Sequence, residues 1–324
     1  MKIVVAPDSF KGSLSAKEVG ITIQEAFERE IPGVKVAVVP MADGGEGTLE
    51  ALVFATNGEK IAASATGPLG EPVQTCYGIL GDGKTAVIEM AQVAGLPMVP
   101  EAKRNPLLTT TFGVGELIVA ALEKGIRSFI IGLGGSATND GGLGMLQALG
   151  ASFLDEKGNQ VKPVGASLQQ ISKVDFTNLR PELKACSFRI ASDVQNPLCG
   201  ENGASHVFGP QKGATPAQVQ QLDEGLNHYA RLVENQLNVK LQDTPGAGAA
   251  GGLGFGFLAL GAEIISGAQV VAEATGLENH IAAADWVITG EGQSDFQTLY
   301  GKAPFFVATL AKRHGVGTIK GALP

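Results

Sequence analysis

Short apolar runs that break abruptly on an acid and a few small residues recur from one end of the chain to the other, and nothing else in the sequence limits the fold as much. "KIVVAPDSFKGS" ends its run at Asp8, "VAVVPMADGGEGT" at Asp43, "FRIASDVQNP" at Asp193 and "WVITGEGQSD" at Glu291. Helical patterns alternate with these runs, near 16–30, 47–56, 216–237 and 303–314 and in "TTFGVGELIVAALEKG". That alternation predicts parallel strands joined by crossover helices. Between 61 and 90 the texture changes to "TGPLGEPVQTCYGILGDGKTAVIEM", in which turn signals separate short strands as in hairpins. The opening style returns near the other terminus. We therefore read an α/β fold in which residues 1–60 plus 280–324 form one discontinuous, doubly wound parallel-sheet domain and residues 61–279 a second α/β domain inserted in it.

Composition narrows the function classes. A chain of 324 residues with 44% hydrophobic and 17% charged side chains is globular rather than disordered. A net charge of -8 excludes a broad basic face for nucleic acid. The three cysteines, Cys76, Cys186 and Cys199, are odd in number and show no CxxC, so they read as reduced thiols in a cytoplasmic protein. The opening "MKIVVAPDSF" is too short for a signal-peptide core. The uncharged stretch 246–262, "GAGAAGGLGFGFLALGA", is dense in glycine and reads as a buried turn plus helix; no membrane association is expected.

Ligands of open parallel sheets bind outside the carboxyl ends of the strands, where Asp8, Asp43, Asp193 and Glu291 are expected. Each could cap a helix, but several converging carboxylates would repel unless a divalent cation, a lysine or a raised pKa intervened. Lys11, Lys212, Lys302 and Arg104 are the candidate cations, all in loops with glycine, proline or both nearby. Five glycines and an acid gather in "GLGGSATNDGG", 132–142, placed between an apolar run and a helical pattern. A strand, a glycine turn and a helix N-terminus make an anion site, while Asp140 inside the turn calls for a cation beside the anion. A metal–nucleotide complex satisfies both demands.

Other chemistries are less well supported. Gly132, Gly134 and Ala137 match a GxGxxA dinucleotide fingerprint with Asp155 further on, which keeps a dehydrogenase as the second reading, but "TNDGGLG" intervenes before the helix. The HRD and DFG motifs of protein kinases do not occur. The four histidines lack zinc-site spacing, no GxSxG surrounds Ser136, and His206 reads as a hydrogen-bonded core residue.

Together, "APDSFKGSLSA", "MADGGEGT", "TGPLG", "GLGGSATNDGG", "SDVQNPL", "FGPQKGA" and "VITGEGQSDFQT" strongly resemble the bacterial type I glycerate kinase family over nearly the whole chain, in order. The resemblance implies an ATP- and magnesium-dependent kinase that converts D-glycerate to 2-phosphoglycerate, with a flavodoxin-like first domain and the active site in the cleft between domains. On that basis Asp193 or Asp8 is expected to receive the glycerate hydroxyl proton, with Lys11 and Lys212 neutralising the transferred phosphoryl. Ser9, Ser13, Arg104, Gly134, Gly135, Ser136, Thr138, Asn139, Asn196, Gln211 and Lys302 are expected to contact substrate and phosphates, Arg104 by pairing with the carboxylate. Asp43, Asp140, Glu291 and Asp295 are the expected metal-facing acids. A homo-oligomer is compatible with this reading, as is an inactive glycerate- or nucleotide-binding fragment. Family members continue several dozen residues past "GVGTIKGALP", so the chain is expected to lack the last strand and helices of the first domain.

Overall fold

The structure, a computed structural model, describes residues 1–10, 12–292 and 302–322. Its strands are β1 (Lys2–Val5), β2 (Lys35–Val38), β3 (Glu59–Thr66), β4 (Pro72–Ile79), β5 (Thr85–Glu89), β6 (Ser128–Gly132), β7 (Ser152–Leu154), β8 (Lys173–Asp175), β9 (Ser187–Ala191), β10 (Glu263–Ile265), β11 (Trp286–Glu291) and β12 (Gly317–Ala322). One sheet has the order β12-β11-β1-β2 and is parallel throughout. A second has the order β10-β9-β6-β5-β4-β3, with its first four strands parallel and β4 and β3 antiparallel. β7 and β8 form a separate antiparallel pair. The four-stranded sheet thus takes strands from both ends of the chain, and the other runs in chain order from β3 to β6 and then through β9 to β10.

The best-defined helices carry their own start signals. Ser15 caps the helix Ala16–Glu30, its hydroxyl accepting from Glu18 N–H while the Glu18 carboxylate accepts from Ser15 N–H. Thr215 and Gln218 repeat this reciprocal arrangement at Pro216–Leu237, which ends on left-handed Asn238. Such pairs satisfy two of the amides that a helix N-terminus leaves unpaired. Stretch 246–262 is a left-handed turn at 250–252 followed by the remainder of the helix Ala249–Ala259, buried as far as Phe257. Among the described residues no helix is long and apolar enough to cross a membrane.

The cores explain how the sheets are placed. A large cluster fills the six-stranded sheet and its helices, with Phe129 stacked on Phe188 at 4.9 Å. A second cluster mixes Val4, Val39, Leu49 and Val287 from the four-stranded unit with Val87, Ile130 and Ala191 from the other sheet. Burying these together removes apolar surface that neither unit covers alone. The contact is tightest at Gly44: its φ is +88°, and a Cβ there would lie 2.2 Å from Ala191 O, so only glycine lets the β2 turn reach the end of β9.

Candidate active site

In the four-stranded sheet the chain winds outward from β1 to β2 on one side and from β11 to β12 on the other, so its winding reverses between β1 and β11. Crevices outside the carboxyl ends of strands at such a reversal are where open α/β sheets bind ligands. Asp8 and Glu291 flank this one. Asp8 N–H donates to Gly290 O at 2.8 Å, and both acids are buried, at 6% and 5% exposure. Two cations balance Glu291, with Lys302 Nζ and Lys320 Nζ each 3.9 Å from its carboxylate.

Asp43 follows β2 and meets the end of the second sheet. Gly134 N–H donates to Gly44 O at 3.1 Å, and Gly267 lies so close that a Cβ on it would sit 2.1 Å from the carbonyl carbon of Asp43. Gly267 N–H also donates to Asp193 Oδ1 at 3.3 Å, which brings the Asp193 carboxylate beside Asp43. Asp193 keeps substantial exposed surface, yet its carboxyl lies deep enough that burial raises its pKa, with the Asp43 charge pushing the same way. Hydrogen bonds from Ser266 and Gly267 oppose that rise. An acid with a raised pKa and a hydrogen-bonded oxygen is suited to taking up a proton.

The glycine turn 132–142 leads from this acid pair to a buried lysine. Lys212 is 2% exposed and donates from Nζ to Ser136 Oγ and Thr138 O, both at 2.7 Å. Burial pushes its pKa down to about 7 against the opposing pull of Asp140. The turn is backed by the left-handed stretch at 250–252, where a Cβ on Gly251 would lie 1.9 Å from Thr138 O. Asn139 donates to Ser205 Oγ at 3.0 Å but leaves its own Oδ1 buried and unpartnered, and Arg104 Nε is in the same condition. The backbone of Arg104 packs against Gly213, next to Lys212, so one orphaned donor belongs to the lysine's surroundings and one orphaned acceptor to the turn itself. Buried polar atoms rarely stay unpaired, and such a pair suits a polar ligand.

Asp140 is placed differently from the metal-facing position expected of it. It has no exposed surface, and its carboxylate accepts from Thr111 N–H and Oγ1, each at 2.8 Å, from Gly142 N–H at 3.1 Å and from Gly144 N–H at 3.2 Å. Burial raises its pKa even so. The acid in the turn is the clamp that shapes it, meeting protein donors where a cation was expected. The dinucleotide fingerprint is corrected on similar grounds: a Cβ on Gly132 would meet Gly44 O at 2.7 Å and one on Gly134 would meet Gly45 Cα at 2.4 Å. Those glycines admit the β2 turn where a pyrophosphate would have to sit, and Asp155 is a half-buried turn residue bonded to Lys157 and Asn159.

Other expected residues scatter. Ser9 and Ser13 line a cleft of about 440 Å³ between the two units, with Lys17, Glu46 and Lys60. Gln211 and Gly135 are exposed, and Asn196 donates to Asn202 O at 2.8 Å in the loop after β9. Lys11 and Asp295 lie outside the described residues. Among the described residues, no three His, Cys, Asp or Glu side chains come together as a metal site. His206 is not a core residue; it is 40% exposed, 3.9 Å from Asp223. Sequence reasoning missed Glu89, a 2% exposed acid at the carboxyl end of β5 that also lines the cleft. The signal was present in "TAVIEM", an apolar run ending on an acid, but it fell in the region read as hairpins.

The chain is similar to known proteins along nearly its whole length. The sequence profile of the glycerate kinase family matches residues 3–322. The glycerate 2-kinase of Escherichia coli K12 is 53% identical over 315 residues, 97% of this chain and 83% of that protein. A glycerate kinase of Bacillus subtilis 168 is 51% identical over 320 residues, 98% and 84% of the two chains. A crystal structure assigned to a glycerate kinase 2 of Salmonella typhimurium LT2 superposes with a TM-score of 0.95 at 50% identity, covering 99% of this chain and 86% of that one.

Proposed function

The chain belongs to the glycerate kinase family, and from that premise we propose that it transfers a phosphoryl group from ATP to the 2-hydroxyl of D-glycerate in the cytoplasm. The dehydrogenase reading finds no support among its relatives. The observation that carries the mechanism is the meeting of Asp43 and Asp193, strand-end acids from two different sheets, beside the turn that holds Lys212.

Asp193 takes the proton from the attacking hydroxyl; its raised pKa makes it a better proton acceptor than an ordinary carboxylate. Lys212 holds the Ser136 hydroxyl by donating to it, and its charge acts on the transferred phosphoryl through that hydroxyl. Arg104 and Asn139, each with an unpaired buried atom, supply a donor and an acceptor for the polar end of glycerate. Asp8 stands at the sheet reversal as the alternative proton acceptor, with the Lys302–Glu291 pair at the end of the neighbouring strand.

Magnesium commonly binds through one or two carboxylates together with substrate phosphates, a demand that Asp43, with Glu291 across the edge, fits better than a site needing a full protein cage. When bound it would neutralise phosphate charge. Positioning and charge neutralisation dominate phosphoryl transfer, so the chain's own residues chiefly orient the reactants.

ADP release measured with and without D-glycerate tests the reading, with phosphorus NMR of the product to identify the hydroxyl. Glycerate-dependent ADP release and a 2-phosphoglycerate signal are expected. ADP release that ignores glycerate, or a 3-phosphoglycerate product, overturns it.

A further inference from the structure

Helix Thr48–Ala55 begins without a cap of its own. Its N-cap residue is Gly47, with φ at 89° and no side chain to accept from the first amides. A helix start left this way exposes unpaired N–H groups that a serine, threonine or aspartate would ordinarily satisfy. Here the acceptor comes from the other sheet. Glu89, closing β5, accepts from Leu49 N–H at 3.2 Å, and the Gly47 N–H also bonds to its carboxylate.

The location matters because the turn just before this helix presents Asp43. That turn is held at one point by Gly134 N–H on Gly44 O, and internally by Thr48 Oγ1 donating to Gly45 O at 2.7 Å. Glu89 supplies a second attachment to the six-stranded sheet, further along the turn at the helix start. Two fixed points define how the turn is oriented as well as where it lies. Burial raises the Glu89 pKa, with Glu46 pushing the same way, while the Leu49 and Gly47 amides and the Gln92 side chain hold it down.

We propose that Glu89 is a positioning residue: by capping Thr48–Ala55 from the second sheet, it fixes the turn that sets Asp43 beside Asp193, and turnover depends on it although it touches no reacting atom. The kinetic part rests on the kinase reading above; the structural part does not.

Three variants separate the roles. Glu89→Gln keeps an oxygen that can accept from both amides, Glu89→Asp keeps the charge but falls one methylene short, and Glu89→Ala removes the cap. Expected are turnover within about threefold of the unmodified protein for Glu89→Gln and losses of about tenfold or more for the other two, seen in kcat with KM for both substrates changing less. Hydrogen exchange at residues 47–49 should quicken roughly fivefold or more in Glu89→Ala and Glu89→Asp and stay near its original rate in Glu89→Gln. Unchanged exchange in both the Ala and Asp variants overturns the proposal. So does a Gln variant as slow as Asp, which would make the charge the essential feature, or a rise in KM alone, which would put Glu89 in contact with substrate. Should Glu89→Ala fail to fold, the Gln and Asp pair decides the matter. If the unmodified protein shows no glycerate-dependent ADP release, the kinase reading falls and the exchange rates still judge the cap.

Discussion

The glycine turn around Asp140 and the strand edge around Asp43 and Asp193 are written in the same residues, glycines with an acid among them, yet they use the acid in opposite ways. In the turn, the carboxylate is enclosed and meets four protein donors, so its work is structural. At the edge, Asp193 has one bond from Gly267 N–H at 3.3 Å, further help from Ser266, and a like-charged neighbour that raises its affinity for a proton. Burial and the number of donors decide which acid shapes the protein and which can act on something else. Motif letters alone do not.

Replacing the enclosed acid should have the largest effect on stability. Asp140→Ala leaves buried donors on Thr111, Gly142 and Gly144 unpaired and is expected to cost roughly 3 kcal/mol or more, read as a loss of thermal midpoint. An Asp140 variant of unchanged stability would erase the distinction between the two regions. Asp193→Asn is the counterpart: turnover should fall about a hundredfold or more, with the midpoint moving by only about 2 °C. Activity within a few fold of the original would remove the proton-accepting role.

How much of this contrast could be read in the sequence follows from the range of the interactions. The helices Ala16–Glu30 and Pro216–Leu237 were legible because their caps lie three residues from their partners. The strand-end acids were legible because an apolar run stops locally. Asp140 misled because its main donor, Thr111, is 29 residues away, and nothing in "TNDGG" reveals that it is there. Glu89 was hidden for the same reason: its partner Leu49 is 40 residues distant. The antiparallel texture of β3 and β4 then masked β5, which runs parallel to β6.

Lys212 sharpens the comparison through pH. Its pKa is about 7 in the folded protein, against about 10.4 in an unfolded chain. Between those values the unfolded chain binds more protons, so this group makes stability rise with pH across that window, by on the order of a few kcal/mol. Below about 7 its contribution is flat. Lys212→Met should flatten the stability profile over the same range, and an identical slope in the two proteins would show that the lysine is not buried as described. In the kinase reading, kcat/KM should fall above about 7 as the cation is lost.

A smaller effect is expected where one edge acid influences the other. Asp43→Asn removes the negative charge that helps to raise the Asp193 pKa, so the acidic limb of kcat/KM in whatever activity remains should shift to lower pH. A shift to higher pH would mean that the two carboxyls do not face each other. Smallest of all, Asp155→Ala should leave turnover within about twofold, since that acid serves only an exposed turn.

The arrangement of the four-stranded sheet also sets a timetable for biogenesis. Lys2 and its hydrogen-bonding partner Asp285 are separated by 283 positions, so β1 emerges from the ribosome long before β11 exists to pair with it. At ordinary elongation speeds the wait is roughly 15–60 s, during which the apolar flank of β1 has no neighbour on that side. Meanwhile the six-stranded sheet can assemble from contiguous chain, offering a platform on which the early β1–β2 pair can lodge through the turn at Gly44. Nascent-chain protection of β1 should therefore appear in two stages, the second only after Glu291 has left the exit tunnel.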